Sequence, residues 1–225
     1  MTLQPLRAGC ALALLLAACV AAQAQVAGSW SVRAGATRIT PQTRSGDLSA
    51  PSFPHTRVDV GAASALTGGI TYMLTDHVAL DMPLGLPFKH SFYGDGAIDG
   101  VGKLGQTKVV PATLLAQYRF GAPQATFRPY VGLGVTYSKF FKNRSTAALT
   151  AVTGGSPAYP TTARLDNKFG LTPQVGVVWN FSERMFLDVA YYKSLLKTTA
   201  HLSSGQRIAM RLNPDVLAIG IGWRF

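Results

Sequence analysis

Residue-by-residue alternation of apolar and small or polar side chains recurs eight times along this chain, and few folds can accommodate it. Such a pattern sends successive side chains to opposite faces of a strand. Trp30, Val32, Ala34 and Ala36 alternate with Ser31, Arg33, Gly35 and Thr37. The pattern returns at residues 66–74, 78–86, 112–120, 131–137, 171–181, 185–191 and 216–225. Short connections (75–76, 121–127, 182–184) alternate strictly with long ones (41–57, 91–105, 142–166, 194–207). A soluble sandwich has no reason to alternate its connections. A bacterial outer-membrane barrel does, with short periplasmic turns and long extracellular loops. The expectation is an all-β fold, an eight-stranded antiparallel transmembrane β-barrel.

The two faces support that reading. One face of each run is apolar; the other carries Gly, Ser, Thr, Ala and an occasional charge. A soluble small barrel reverses this arrangement, with large apolar residues inside. In a bilayer every backbone polar group needs a partner, so strands cross only as a closed barrel. After residue 24 no apolar stretch reaches the ~18 residues of a membrane helix. With 48% hydrophobic and only 14% charged residues, the chain is neither disordered nor a coiled coil. The net charge of +11 raises the question of nucleic acid, but the basic residues form no arm or groove-fitting element.

Met1 to Ala24 reads as a cleaved secretory signal: Arg7, an apolar core from Ala8 to Ala18, and the Ala22-Gln23-Ala24 cleavage site. The mature barrel then spans 25–225. Both cysteines, Cys10 and Cys19, fall in the signal, so the mature chain is expected to hold without disulfides. Leu16-Ala17-Ala18-Cys19 also fits a lipobox, which would lipidate Cys19 and leave the fold unchanged.

Aromatic residues of outward parity cluster at strand ends near short turns or the chain end: Trp30, Tyr72, Tyr118, Phe120, Trp179, Phe181, Trp223 and Phe225. They are expected to form a periplasmic girdle at headgroup level. Leu217, Ile219, Ile221, Trp223 and Phe225 look like the terminal-strand signal read by the barrel assembly machinery, a transient partner in biogenesis. Inward Gly132, Gly134, Gly220 and Gly222 imply a narrow lumen. Pro83, Pro111 and Pro173 each remove a ladder donor, marking a bulge or a break in pairing. Pro83 and Pro111 are the candidates for a lateral opening.

The chain resembles the OmpW family of small outer-membrane proteins. The resemblance is carried by residues 29–37 (SWSVRAGAT), 71–77 (TYMLTDH), 87–90 (PFKH), 110–120 (VPATLLAQYRF), 128–135 (RPYVGLGV), Phe140-Phe141 and the closing 220–225 (GIGWRF). These segments span nearly the whole mature chain. The resemblance implies a narrow, mostly hydrophobic channel for uptake of small hydrophobic molecules, with release sideways into the membrane. The long loops depart from the family pattern, so no gating residue is carried over.

Counting from the short turns sets Arg33, Asp81, Arg119, Asp188 and Arg224 at similar depth on the inward face. Buried charges need partners, so these five are expected to form a polar plug across the periplasmic half of the lumen. The same cluster equally serves a barrel with a filled interior. Two other functions remain open: a non-conducting structural or adhesive barrel acting through its loops, and a lipid A deacylase-like hydrolase. The second rests on His201, Ser203 and Asp215, a spacing that suits an imidazole activating a serine. No cofactor is implied, and no His, Cys, Asp or Glu spacing suggests a metal. Lys103, Lys108, Lys139, Lys142, Arg144, Arg164 and Lys168 lie in or beside the long loops, where lipopolysaccharide would attract them. The solute and the oligomeric state are left open.

Overall fold

A computed structural model describes residues 25–225; the signal reading, with Cys10 and Cys19, lies outside the described residues. In chain order the strands are β1 (Trp30–Thr40), β2 (Arg44–Ser45), β3 (Thr56–Val60), β4 (Ala63–Met73), β5 (Val78–Gly85) and β6 (Phe88–Gly96). Then come β7 (Lys103–Arg119), β8 (Phe127–Ser145) and a short helix α1 (Ala147–Val152). The rest are β9 (Ala163–Leu165), β10 (Lys168–Asn180), β11 (Met185–Lys193), β12 (Lys197–Leu202), β13 (Arg207–Arg211) and β14 (Asp215–Arg224).

Eight of these are the barrel staves. β1 pairs with β4 and β14, β4 with β5, β5 with β7, β7 with β8, β8 with β10, β10 with β11, and β11 with β14. The circuit is closed and every pairing is antiparallel. Closure removes the sheet edges that a bilayer could not satisfy.

Inward and outward sets follow the alternation of the sequence. Leu66, Leu114, Leu133, Leu217 and Ile221 remain more than half exposed, as lipid-facing residues must be in the isolated chain. Their neighbours Thr71, Gln117, Thr136, Thr172 and Gln174 are buried in the interior. Along β10 the outward residues run from Trp179 to Phe169. At ~3.3 Å per residue and a tilt of ~40° this covers about 25 Å, the height of an outer-membrane apolar band. Rings mark the inner edge: Trp30 packs on Tyr72 (4.6 Å between centroids), Tyr118 on Phe120 (5.1 Å), and Trp179 on both Phe127 (6.1 Å) and Phe181 (5.8 Å). Tyr137 and Phe169 pair at the outer edge (4.7 Å).

The long connections are not the open loops that the sequence suggested. β7 and β8 run to 17 and 19 residues, well beyond 112–120 and 131–137. β3 and β6 extend the wall, and β2, β13, β12 and β9 form a second, four-stranded sheet. The physical reason is an inversion of polarity above the bilayer. There the outward face meets water and the inward face must supply a core, as in a soluble barrel. Leu48, Val60, Leu165, Leu196, Ile208, Met210 and Leu212 make that core. A search for apolar-outward alternation passes over strands whose apolar side points in.

Candidate functional site

Below the outer rim the lumen is divided. Its periplasmic half is filled. Arg33 grips Asp81 through both terminal nitrogens (2.6 and 2.9 Å) and reaches Asp188 with Nε (3.3 Å). The Thr71 hydroxyl donates to Asp81 (2.6 Å) and the Tyr130 hydroxyl to Asp188 (2.8 Å). Arg119 donates to Gln117 Oε1 (2.9 Å), whose amide donates to Gln174 (3.0 Å), and its guanidinium lies 5.4 Å above the Tyr130 ring. Leu115, Tyr130, Val178, Phe186, Ala190 and Tyr192 pack among these groups.

Of the five charges placed together from sequence, Arg33, Asp81 and Asp188 meet directly, with Arg119 beside them. Arg224 stands apart: it bonds the Asn180 side chain and lies 4.9 Å above Phe186. Arg128, which the sequence reading did not place in the cluster, is fully buried near the periplasmic rim. It donates to the carbonyls of Gln25 (3.2 Å) and Asp76 (2.6 Å) and to Gln25 Oε1 (3.0 Å). Its inward parity, two residues before Tyr130, was the signal that could have found it.

The inward glycines make room for these large side chains. A Cβ on Gly222 would enter the Phe186 ring, and one on Gly132 would meet the Gln174 side chain at 2.6 Å. At Gly134 the obstacle is the backbone of β7 at Leu114. Of the four glycines expected to line a narrow lumen, only Gly220 borders the cavity that remains. Small residues do not by themselves mean open space, because the opposite strand can project a ring into it.

That cavity, of about 120 Å³, occupies the outer half of the barrel. It is comparable to the ~150 Å³ engineered cavity that accepts benzene. Ile39, Phe88, Val109, Phe140, Leu196 and Val216 supply apolar walls, and Arg33, Asp188 and Tyr192 form its floor. Just above the floor, hydroxyls satisfy one another from strand to strand: Thr113–Thr136 (2.8 Å), Thr136–Thr172 (2.7 Å), Thr172–Ser194 (3.0 Å) and Thr37–Thr67 (2.7 Å). Phe92 and Leu165 also border a second apolar pocket in the extracellular extension, with Leu104, Leu149, Val152 and Met210.

The cavity reaches a lapse in the barrel wall. β5 pairs with β7 only as far as Asp81–Leu115, and β6 resumes at Phe88–Val109. Residues 82–87 and 110–114 face each other with no ladder pair between them. Pro83 and Pro111 lie here, and both border the cavity with Leu84 and Gly85. Pro87 joins them. Leu86 points outward and Phe88 inward, so the stave slips its alternation by one residue at Pro87. At Pro173 the ladder to β8 is continuous, while regular pairing with β11 begins only at Gln174.

The residues weighed for hydrolysis do not assemble. His201 Nε2 lies 3.6 Å from Asp166, the Ser203 hydroxyl accepts from the Thr162 backbone N–H (2.9 Å), and Asp215 accepts from Lys193 (2.5 Å) and Tyr191 (2.6 Å). The terminal-strand residues Leu217, Ile219, Ile221, Trp223 and Phe225 all face outward, each more than two-fifths exposed.

Residues 26–225 match the model of the OmpW family. Outer membrane protein W of Vibrio cholerae serotype O1 is 30% identical over 204 residues, 88% of this chain and 89% of that one. The crystal structure of the outer membrane protein OprG from Pseudomonas aeruginosa superposes with a TM-score of 0.79 at 27% identity, covering 90% of this chain and 99% of that one. The dibenzothiophene metabolism operon protein PahQ of Pseudomonas aeruginosa is 26% identical over 202 residues, 87% of this chain and 88% of that one.

Proposed function

This chain belongs to the OmpW family of bacterial outer-membrane barrels, and from that premise we propose that it carries small hydrophobic molecules across the outer leaflet and releases them sideways into the membrane. The observation that carries the reading is the apolar cavity opening toward the unpaired wall segment between β5 and β7. The periplasmic floor is packed with paired charges and rings, which leaves the side wall as the exit. Crossing there exposes an apolar solute only to lipid. The hydroxyls above the floor satisfy one another, so an apolar occupant leaves none of those bonds unmade. PahQ's name ties it to the metabolism of dibenzothiophene, a fused apolar aromatic of the kind such a cavity favours. The outward apolar row of β14 serves, on this reading, as the signal for the barrel assembly machinery.

Ser138 faces the cavity and is buried, so Ser138→Trp fills it. Cells bearing this variant should take up labelled naphthalene or octane no faster than cells without the gene, while the wild type accelerates uptake several-fold. Equal uptake by all three strains would exclude the channel reading.

A further inference from the structure

Two rows of like charge face outward at similar height on opposite sides of the barrel. On one side Lys89 stands directly across from Lys108, and Lys139, paired with Val110, is the diagonal neighbour of Lys108. On the other side Arg211 stands between Arg44 and Lys197. The first row lies on staves three to five and the second on the extensions of staves one, eight and seven, which are diametrically placed in an eight-stave circuit. Among the described residues none of the six is ion-paired to a carboxylate.

Directly opposed like charges on a sheet destabilise it, since their Cβ atoms stand only ~5 Å apart. Retaining two such rows is physically sensible where a multivalent anion lies between the cations. Their height says which anion. Lys108 lies ten residues from Tyr118 of the inner girdle along the unbroken strand β7, or roughly 25 Å along the membrane normal, and Arg211 lies just beyond the outer end of β14, across residues 212–214. That is the outer edge of the apolar band, where the outer leaflet carries its phosphates. We propose that each row binds the phosphate groups of a phosphorylated glycolipid of the outer leaflet. The Lys89–Lys108 pair adjoins Phe88–Val109, the pair that closes the outer side of the unpaired wall segment. A lipid held there lays its acyl chains over Leu84, Ala112 and Leu114, across that segment.

The test uses the full barrel in detergent micelles. Native mass spectrometry counts retained bisphosphorylated lipid A, with dephosphorylated lipid A and inorganic pyrophosphate as the other probes. The wild type should retain two lipid A molecules. Lys89→Gln with Lys108→Gln and Lys139→Gln should remove one, and Arg44→Gln with Arg211→Gln and Lys197→Gln the other, each losing at least tenfold in affinity. Lys89→Arg with Lys108→Arg should keep both. Without lipid, the Gln variants should melt no lower than the wild type, and lipid A should raise the melting temperature of the wild type more than theirs. Equal retention of dephosphorylated lipid A, or retention unchanged by the Gln substitutions, would overturn the proposal. Pyrophosphate competing at the same concentration as lipid A would reduce the rows to sites for free phosphate and overturn the lipid assignment.

Discussion

The Asp81 carboxylate is wholly buried and takes two bonds from Arg33 and one from Thr71. Removing it leaves a guanidinium in the lumen with Asp188 alone as counter-charge. Breaking a buried pair this way costs about 3–5 kcal/mol. Asp81→Ala should therefore lower stability by that order in a denaturant titration of the refolded barrel, and Asp81→Asn by less, because the amide still accepts a bond. Inward parity of Arg33, Asp81, Arg119, Asp188 and Arg224 was readable from alternation, since one residue of register sends a side chain to the other face. That three of them touch while Arg224 lies over Phe186 was not readable. Depth along a strand is one coordinate, and the angular position around the lumen is the other.

At the level of single strands, proline was the informative residue. Pro83 and Pro111 were legible as weak points in the ladder. Their position on facing strands, with Pro87 shifting the alternation between them, was not legible, because it depends on register between staves. Leu84 and Ala112 face outward on the two sides of the lapse. Cysteines at both, joined by a short bifunctional thiol reagent, should leave the barrel folded and abolish accelerated uptake of octane. A single cysteine with the same reagent should have little effect. Uptake unchanged by the bridge would move the exit elsewhere. The extension strands teach a complementary lesson. β6, β12 and β13 alternate as clearly as the staves, but with Phe88, Phe92, Ile208 and Met210 turned in and Lys89, Arg207 and Arg211 turned out. The polarity of each face is set by what lies outside the barrel at that height, and a strand's own sequence does not state its height.

For the molecule as a whole, closure of the lumen is shared between charge and bulk. Arg119→Ala with Arg224→Ala leaves Leu115, Tyr130, Phe186 and Tyr192 packed across the bore, so single-channel conductance in planar bilayers should stay near that of the wild type. Tyr130→Ala with Phe186→Ala removes two large rings from between the paired charges and should raise conductance clearly. The reverse ranking would assign closure to the arginines. The outer pocket draws Leu149 and Val152 from α1. Deleting residues 147–162 should spare the eight staves and reduce uptake of large hydrophobes more than small ones, measured as a ratio between two labelled solutes.

Alternation, the number of apolar-outward staves and the shared parity of the aromatics belong to the sequence. Each is a local property: a period of two assigns faces, and a bilayer of known thickness bounds the length of apolar-outward runs. Together they point to a barrel and to the membrane it spans. The filled and open halves of the lumen, the lapse between β5 and β7, the extension sheets and the two opposed rows of cations came only with the closed circuit. They arise because closure brings strands distant in sequence to one height and one angle, and neither quantity is written along the chain.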